Sequence, residues 1–282
     1  MRWQDMRRSG NVEDRRALGG KTVAGGAGGI FALALVVYLL GGDPSSLVME
    51  GISRTIQTSS NYQSQLTPEQ QAEQADFTAA VLGSTEDAWT AIYQQNGKSY
   101  DMPQLVLFAG AVDSACGMAQ SAMGPFYCPL DTKVYLDLDF FHELEARFGA
   151  PGDFARAYVI AHEVGHHIQN LQGTIEETTA ARSRADKSEA NAISVRVELQ
   201  ADCYAGVWAA STALKGQIED GDIEEAILAA SKIGDDHLQK EAQGYAVPDS
   251  FTHGSSAQRV EWFKRGFTAG DVNACDTFSR EL

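Results

Sequence analysis

The spacing of apolar residues separates a short strand-forming region from a longer helical one. Residues 133–139 alternate apolar and polar side chains and place Val134, Leu136 and Leu138 on one face, which predicts a strand half-buried against a core. A second short strand is expected at residues 104–108. Helices are expected over residues 67–82, 84–96, 153–173, 187–214, 222–237 and 255–267, and in the third of these apolar residues recur at steps of three and four. The pattern indicates an α+β domain, with a small mixed sheet packed on the helix at residues 153–173 and backed by further helices.

The longest uncharged stretch runs from Thr22 to Gly42 and has 21 residues, about the length that crosses a bilayer as a helix. Its strongly apolar part, Ile30 to Leu40, is short enough for a cleaved signal peptide. The residues that follow lack a small-x-small cleavage pattern, so a retained transmembrane helix is favoured over a signal peptide. Gly25 and Gly29 have the spacing of closely packing helices, but glycine is common in membrane spans, so they support only weak self-association.

Charge is divided unevenly along the 282 residues, whose net charge is -16. Residues 1–42 hold six basic and three acidic side chains, while the remainder holds 16 basic and 35 acidic ones. The basic end predicts that residues 1–21 are cytoplasmic, that residues 22–42 cross the cell membrane once and that the rest is extracytoplasmic. Residues 43–66 are rich in Ser, Gln and Asn and predict a linker to a folded domain at residues 67–282. The acidity of that domain argues against nucleic acid as a partner.

The four cysteines, Cys116, Cys128, Cys203 and Cys275, form an even set in a domain expected in an oxidising compartment, which favours two disulfides. None has the C-x-x-C spacing of a zinc ribbon. Because Cys116 and Cys128 bracket a turn region with Gly and Pro, we favour pairing these two with each other and Cys203 with Cys275. Sequence alone leaves three connectivities open, and buried free thiols are the alternative.

Candidate chemistry centres on His162-Glu163-Val164-Gly165-His166, inside the predicted helix at residues 153–173. Residues four apart in a helix stand one turn above each other, so His162 and His166 can converge on one tetrahedral metal ion. Glu163 lies beside that ion, where it could take a proton from the attacking water and pass it to a leaving amine. Since so short a pattern also arises by chance, it needs a third ligand in a suitable place.

Glu198 supplies a third ligand, 32 residues after the second histidine. Glu198 and Asp202 are again four apart, on a predicted helix that carries no charge except Asp202 between Ala201 and Leu214. Carboxylates on so apolar a helix need a metal or a hydrogen-bonding partner to offset their desolvation. We therefore expect one zinc ion bound by the two histidines and Glu198, with Asp202 bonded to the far nitrogen of a ligand imidazole. The alternative is a structural salt bridge with a neighbouring residue such as Arg196.

Longer motifs carry a family resemblance. The order His-Glu-x-x-His then Glu-x-x-x-Asp resembles the gluzincin metallopeptidases. Residues 161–167 (AHEVGHH), 198–203 (ELQADC) and 124–129 (GPFYCP), with the N-terminal Met-Arg-Trp, resemble the bacterial putative neutral zinc metallopeptidase family. The similarity covers nearly the whole chain, and it implies a zincin-like catalytic domain and metal-dependent peptide hydrolysis.

Two further histidines have weaker indications of a role. His253 lies at the entry to the last predicted helix, and gluzincin-like membrane peptidases with a comparable histidine imply a donor that stabilises the oxyanion. A capping or core histidine, or a metal ligand in place of Glu198, are the alternatives for His253. His167 is about 100° around the helix from its ligand neighbour, so we expect it in a second layer or at the surface.

These features together predict a zinc peptidase, in the first place an endopeptidase, acting on extracytoplasmic peptides or proteins with Glu163 as general base. The strand at residues 133–139 is a candidate sheet edge that could hold an extended peptide by main-chain pairing. Two other functions stay open: a zinc-holding binding or chaperone protein without turnover, and a membrane-tethered scaffold. Glu163 argues against an inactive zinc protein, because hydrolysis needs this residue more than metal binding does.

Overall fold

The computed structural model describes residues 1–18, 64–211 and 216–279. The predicted membrane span at residues 22–42, and the linker as far as residue 63, lie outside these ranges. Within them, no helix combines the length and the apolar character needed to cross a membrane.

The described residues belong to two compact units. The helical unit contains the described parts of Met1–Asn11, Asp76–Pro103 and Phe141–Leu282. The sheet unit contains the described parts of Val12–Ala75 and Gln104–Phe140. Helices and a small sheet are both present, so the expected α+β class is confirmed.

The strands lie in the sheet unit. They are β1 (Val12–Asp14), β2 (Gln104–Phe108), β3 (Ala111–Ser114), β4 (Gly117–Gln120), β5 (Phe126–Cys128) and β6 (Lys133–Asp137). A four-stranded sheet has the order β1-β2-β6-β5, in which β5 is antiparallel to β6 and the other pairs are parallel. The sheet is therefore mixed, as expected. β3 and β4 form a separate antiparallel pair.

The expectation that residues 133–139 form a sheet edge is wrong. β6 pairs with β2 along its whole length on one side and with β5 through residues 133–135 on the other, so it is an interior strand of the sheet. Its polar end is also buried: Asp137 is 4% exposed and accepts a hydrogen bond from the backbone of Gly110 at 2.8 Å. Alternating polar residues therefore indicated internal hydrogen bonding here, not a solvated face. The strand stops at Asp137, and a helix begins at Asp139.

The helices are α1 (Pro68–Gln95), α2 (Asp139–Ala146), α3 (Asp153–Leu171), α4 (Thr174–Arg182), α5 (Lys187–Ala210), α6 (Asp222–Lys232), α7 (Asp235–Gln243) and α8 (Ser256–Ala269). α1 begins with an exchange of hydrogen bonds between Thr67 and Gln70. It continues through Ser84, where the sequence predicted a second helix. Ser84 accepts a hydrogen bond from the buried Trp208 indole at 2.8 Å and serves the core instead of a helix start.

The helix predicted over residues 222–237 is two helices, α6 and α7, separated at Gly234. The backbone at Ser256, where α8 begins, packs directly on Gly234: a Cβ atom at Gly234 would lie 2.4 Å from the backbone nitrogen of Ser256. α8 itself starts with a capping box in which Ser255 and Gln258 exchange hydrogen bonds.

Close backbone packing brings α3 and α5 together. A Cβ atom at Gly165 would lie only 2.9 Å from the carbonyl oxygen of Ala201 and 3.1 Å from its Cα. Only glycine fits at this crossing without a shift of one helix, so Gly165 fixes the distance between the helices that carry the candidate ligands.

Both favoured disulfides are present in the structure. Cys116 pairs with Cys128 in the sheet unit, and Cys203 pairs with Cys275 in the helical unit, with Cα–Cα distances of 5.8 and 5.5 Å. The second disulfide ties α5 to the short helical turn at Val272–Cys275. No cysteine of the chain is left as a free thiol.

Candidate metal centre

The candidate ligands lie where α3 and α5 face each other in the helical unit. His162 and His166 are one turn apart on α3, and Glu198 lies on α5. The Nε2 atom of His162 is 3.2 Å from one carboxylate oxygen of Glu198, and the Nε2 atom of His166 is 3.6 Å from the other. One donor atom from each of the three residues falls within 4.8 Å of the others.

Both imidazole rings are held by their opposite nitrogen. Nδ1 of His162 is 2.8 Å from Oδ1 of Asp202, and Nδ1 of His166 is 2.8 Å from Oε1 of Gln169. Because both oxygens are acceptors, they favour the tautomer with hydrogen on Nδ1, which leaves Nε2 as the lone-pair donor. Two Nε2 atoms are therefore directed toward one carboxylate.

This donor set fits a zinc ion of the catalytic type. Two imidazole nitrogens and one carboxylate oxygen are the ligand kinds that zinc prefers, and three protein ligands leave a fourth position open. Glu163, 8% exposed, follows His162 directly on α3 and is not one of the three grouped ligands.

A family model described as putative neutral zinc metallopeptidase matches residues 1–278. The chain belongs to this family. The predicted resemblance is thus confirmed, and family membership implies zinc as the metal for the three grouped residues.

Proteins similar to this chain occur in Escherichia coli and in Mycobacterium tuberculosis. The chain is 45% identical to the uncharacterized protein YpfJ of Escherichia coli K12 over 287 residues, with both chains covered completely. It is 43% identical to the uncharacterized protein Rv2575 of Mycobacterium tuberculosis H37Rv over 214 residues, which cover 72% of this chain and 71% of that one. No solved structure matches the chain.

The electrostatics of the candidate metal site keep its acids ionised. Burial raises the pKa of Glu198, but the charge of His166 and hydrogen bonds from both histidines outweigh burial and hold that pKa well below its usual range. Burial likewise opposes ionisation of Asp202, but the charges of Arg259 and His162 lower its pKa to about 2. Burial also disfavours a charged His162, yet without a metal Asp202 and Glu198 outweigh this and raise its pKa to about 10, so a metal ion that binds Nε2 would displace a proton from it. Both carboxylates are therefore available as negative groups.

Arg259 and Tyr158 complete the surroundings of Asp202, and the sequence did not identify either of them in this role. Nε and Nη2 of Arg259 donate to the two oxygens of Asp202 at 2.8 and 3.0 Å, and the Tyr158 hydroxyl donates at 2.5 Å. Asp202 and Tyr158 are 0% exposed and Arg259 is 3% exposed. Asp202 thus takes part in a buried ion pair, as the alternative interpretation required, but with Arg259 and not with Arg196. The salt bridge and the predicted bond to a ligand imidazole are both present, because the same carboxylate of Asp202 also bonds to His162.

Gln169 is the third residue that sequence reasoning missed. Its amide nitrogen donates to the carbonyl oxygen of Val197 at 2.7 Å and to the side chain of Gln200 at 3.0 Å. These bonds fix the amide so that its oxygen faces His166. The available signal was its spacing of three from His166 on the same face of α3, but a neutral amide there is common on helices without any such role.

The other predicted histidines lie nearby in different settings. His253 is half exposed, with Nδ1 3.3 Å from Asp235, and it is not among the three grouped ligands. His167 is 2% exposed and bonds through Nε2 to the backbone oxygen of Asp101 at 2.7 Å. It therefore lies in a buried second layer and not at the surface.

Proposed function

We propose that the chain is a zinc-dependent peptidase that hydrolyses extracytoplasmic peptides or proteins, with zinc bound by His162, His166 and Glu198. The observation that carries the proposal is the convergence of both Nε2 atoms on Glu198 while both Nδ1 atoms are held by acceptors. Such fixed tautomers are typical of imidazoles that bind a metal. A zinc ion bound there would act as a Lewis acid on the water and on the peptide carbonyl.

Glu163 is proposed as the general base. It follows a proposed ligand on α3, and its carboxylate has no part in holding either imidazole. In this role it would accept the proton of the attacking water and deliver it to the leaving nitrogen, so the departing amine is neutral.

His253 is proposed as the donor to the developing oxyanion. Asp235, 9% exposed, accepts backbone hydrogen bonds from Thr252, His253 and Gly254 at 2.7, 2.6 and 3.0 Å, and so fixes the loop that presents the ring. Its other oxygen lies 3.3 Å from Nδ1 of His253. When it is protonated, the ring donates its Nδ1 hydrogen to Asp235, which keeps it oriented, and its Nε2 hydrogen can be donated to an oxyanion of the substrate.

Action outside the cytoplasm is supported by the two disulfides. Stable disulfides persist in oxidising compartments and are rare in reducing ones. We also propose that residues 22–42 attach the protein to a membrane and self-associate weakly, and the support for this comes from the sequence alone.

The test is cleavage of a mixed peptide library by the zinc-loaded full chain and by Glu163→Gln. The amide keeps the size of the side chain but cannot take a proton, so we expect zinc content to be kept and turnover to fall by about 10²–10⁴. His253→Ala is the matched comparison, with lower kcat and normal zinc. If Glu163→Gln cleaves as fast as wild type while a chelator stops both, the proposed mechanism is wrong. Zinc binding without cleavage in wild type would favour the zinc-holding alternative.

A further inference from the structure

The N-terminal segment Met1–Asn11 is part of the helical unit that contains the metal centre. Trp3 is 6% exposed and packs edge to face on Phe77 of α1, with 5.5 Å between ring centroids. Met1 and Met6 are also buried. Apolar side chains of this segment therefore contribute to the core of the unit.

Two of the three basic residues of the segment have acidic partners on α1. Arg7 pairs with Glu86 at 2.8 Å and with Asp87 at 2.7 Å, and Arg8 pairs with Asp76 at 2.6 Å. Glu86 is only 1% exposed, and the ion pair with Arg7 offsets the cost of burying its carboxylate. Arg7 and Arg8, two of the charges that suggested a cytoplasmic end, therefore form ion pairs within the folded unit.

Main-chain contacts hold the segment at the same place. The backbone nitrogen of Ser9 donates to the carbonyl oxygen of Ala79 at 2.9 Å. A Cβ atom at Gly83 would lie 2.5 Å from the carbonyl oxygen of Arg7, so α1 has room for the segment only because residue 83 is glycine.

We propose that Met1–Asn11 stays docked on α1 in the cell and lies on the same side of the membrane as the metal centre. The segment precedes residues 22–42 in the chain, and α1 follows them. A single crossing by that stretch would place Trp3 and Phe77 on opposite sides of a hydrocarbon core about 30 Å thick, which their contact forbids. Any attachment through residues 22–42 therefore leaves both flanks on one side. The proposal does not depend on peptidase activity.

Cysteine labelling of the full chain in intact cells tests the sidedness. Gly10→Cys places a thiol on an exposed position where a Cβ atom meets nothing within 4 Å, and Ser188→Cys places one on the exposed start of α5. A membrane-impermeant maleimide is applied before and after lysis. We expect the fraction labelled before lysis to be the same at both positions, either both reactive or both protected.

Labelling of one position and protection of the other would overturn the proposal. The exposed pair Gln4→Cys and Glu176→Cys repeats the comparison if a first variant fails to accumulate. Equal labelling on intact cells would in addition place both on the outer side, while equal protection would place both inside and contradict only the extracytoplasmic part of the proposed function.

Discussion

Gly165→Ala adds one methyl group between α3 and α5, the two helices that carry the candidate ligands. The new methyl group would sit 2.9 Å from the carbonyl oxygen of Ala201, about 0.5 Å inside ordinary van der Waals contact. Because the opposing atom is backbone, one helix must move. Added bulk in a packed core costs about 1–3 kcal/mol, while alanine gains about 1 kcal/mol over glycine in helix propensity. We expect a net loss of roughly 0–2 kcal/mol in the free energy of unfolding.

The metal affinity is the more sensitive readout for this variant. Functional groups must be held within about 0.5 Å of their productive geometry, and changes around metal ligands typically cost about 10–100-fold in affinity. We expect a loss of that size in zinc affinity, measured by competition with a chromogenic chelator, with unfolding followed by circular dichroism. Gly10→Ala, where nothing lies within 4 Å, is the control. A Gly165→Ala protein that is about 1 kcal/mol more stable and binds zinc as wild type does would refute the close packing of α3 on α5.

Three further changes test the supports of the site. Arg259→Met should lower the free energy of unfolding by about 3–5 kcal/mol, because the fully buried carboxylate of Asp202 loses its guanidinium partner; a loss below about 1 kcal/mol would contradict this. Replacing both Cys203 and Cys275 by Ser removes a disulfide that spans 72 residues and should lower the free energy of unfolding, measured with denaturant, by about 4 kcal/mol. An unchanged midpoint would contradict the presence of this disulfide. Gly83→Ala should destabilise the protein despite a gain of about 1 kcal/mol in helix propensity, whereas thermal stabilisation would mean that the N-terminal segment is not docked.

The parts of the site that sequence predicted are those joined by helical spacing. His162 with His166, and Glu198 with Asp202, are pairs four apart, so a single geometric rule places each pair on one face. That the two faces meet followed from chemistry, since carboxylates on an apolar helix need partners. The pairing of Cys116 with Cys128 was favoured for a similar local reason, and it left Cys203 to pair with Cys275.

The parts that sequence missed depend on contacts between distant residues. Arg259 reaches Asp202 across 57 positions and through the packing of α8, which no local pattern encodes. Gln169 is close in sequence, but only its bonds to the backbone of α5 give it a direction. The break at Gly234 and the interior position of β6 likewise result from neighbours, Ser256 and β5, that are unknown until the chain is folded.

The most direct test of the metal centre is the zinc content of the purified full chain and of Glu198→Ala. We predict one zinc ion per chain in the wild type and a large loss of zinc in Glu198→Ala, because a directly coordinating carboxylate is removed. Glu198→Ala with a full complement of zinc, or a wild type that takes up none, would contradict the assignment of His162, His166 and Glu198 as the ligands.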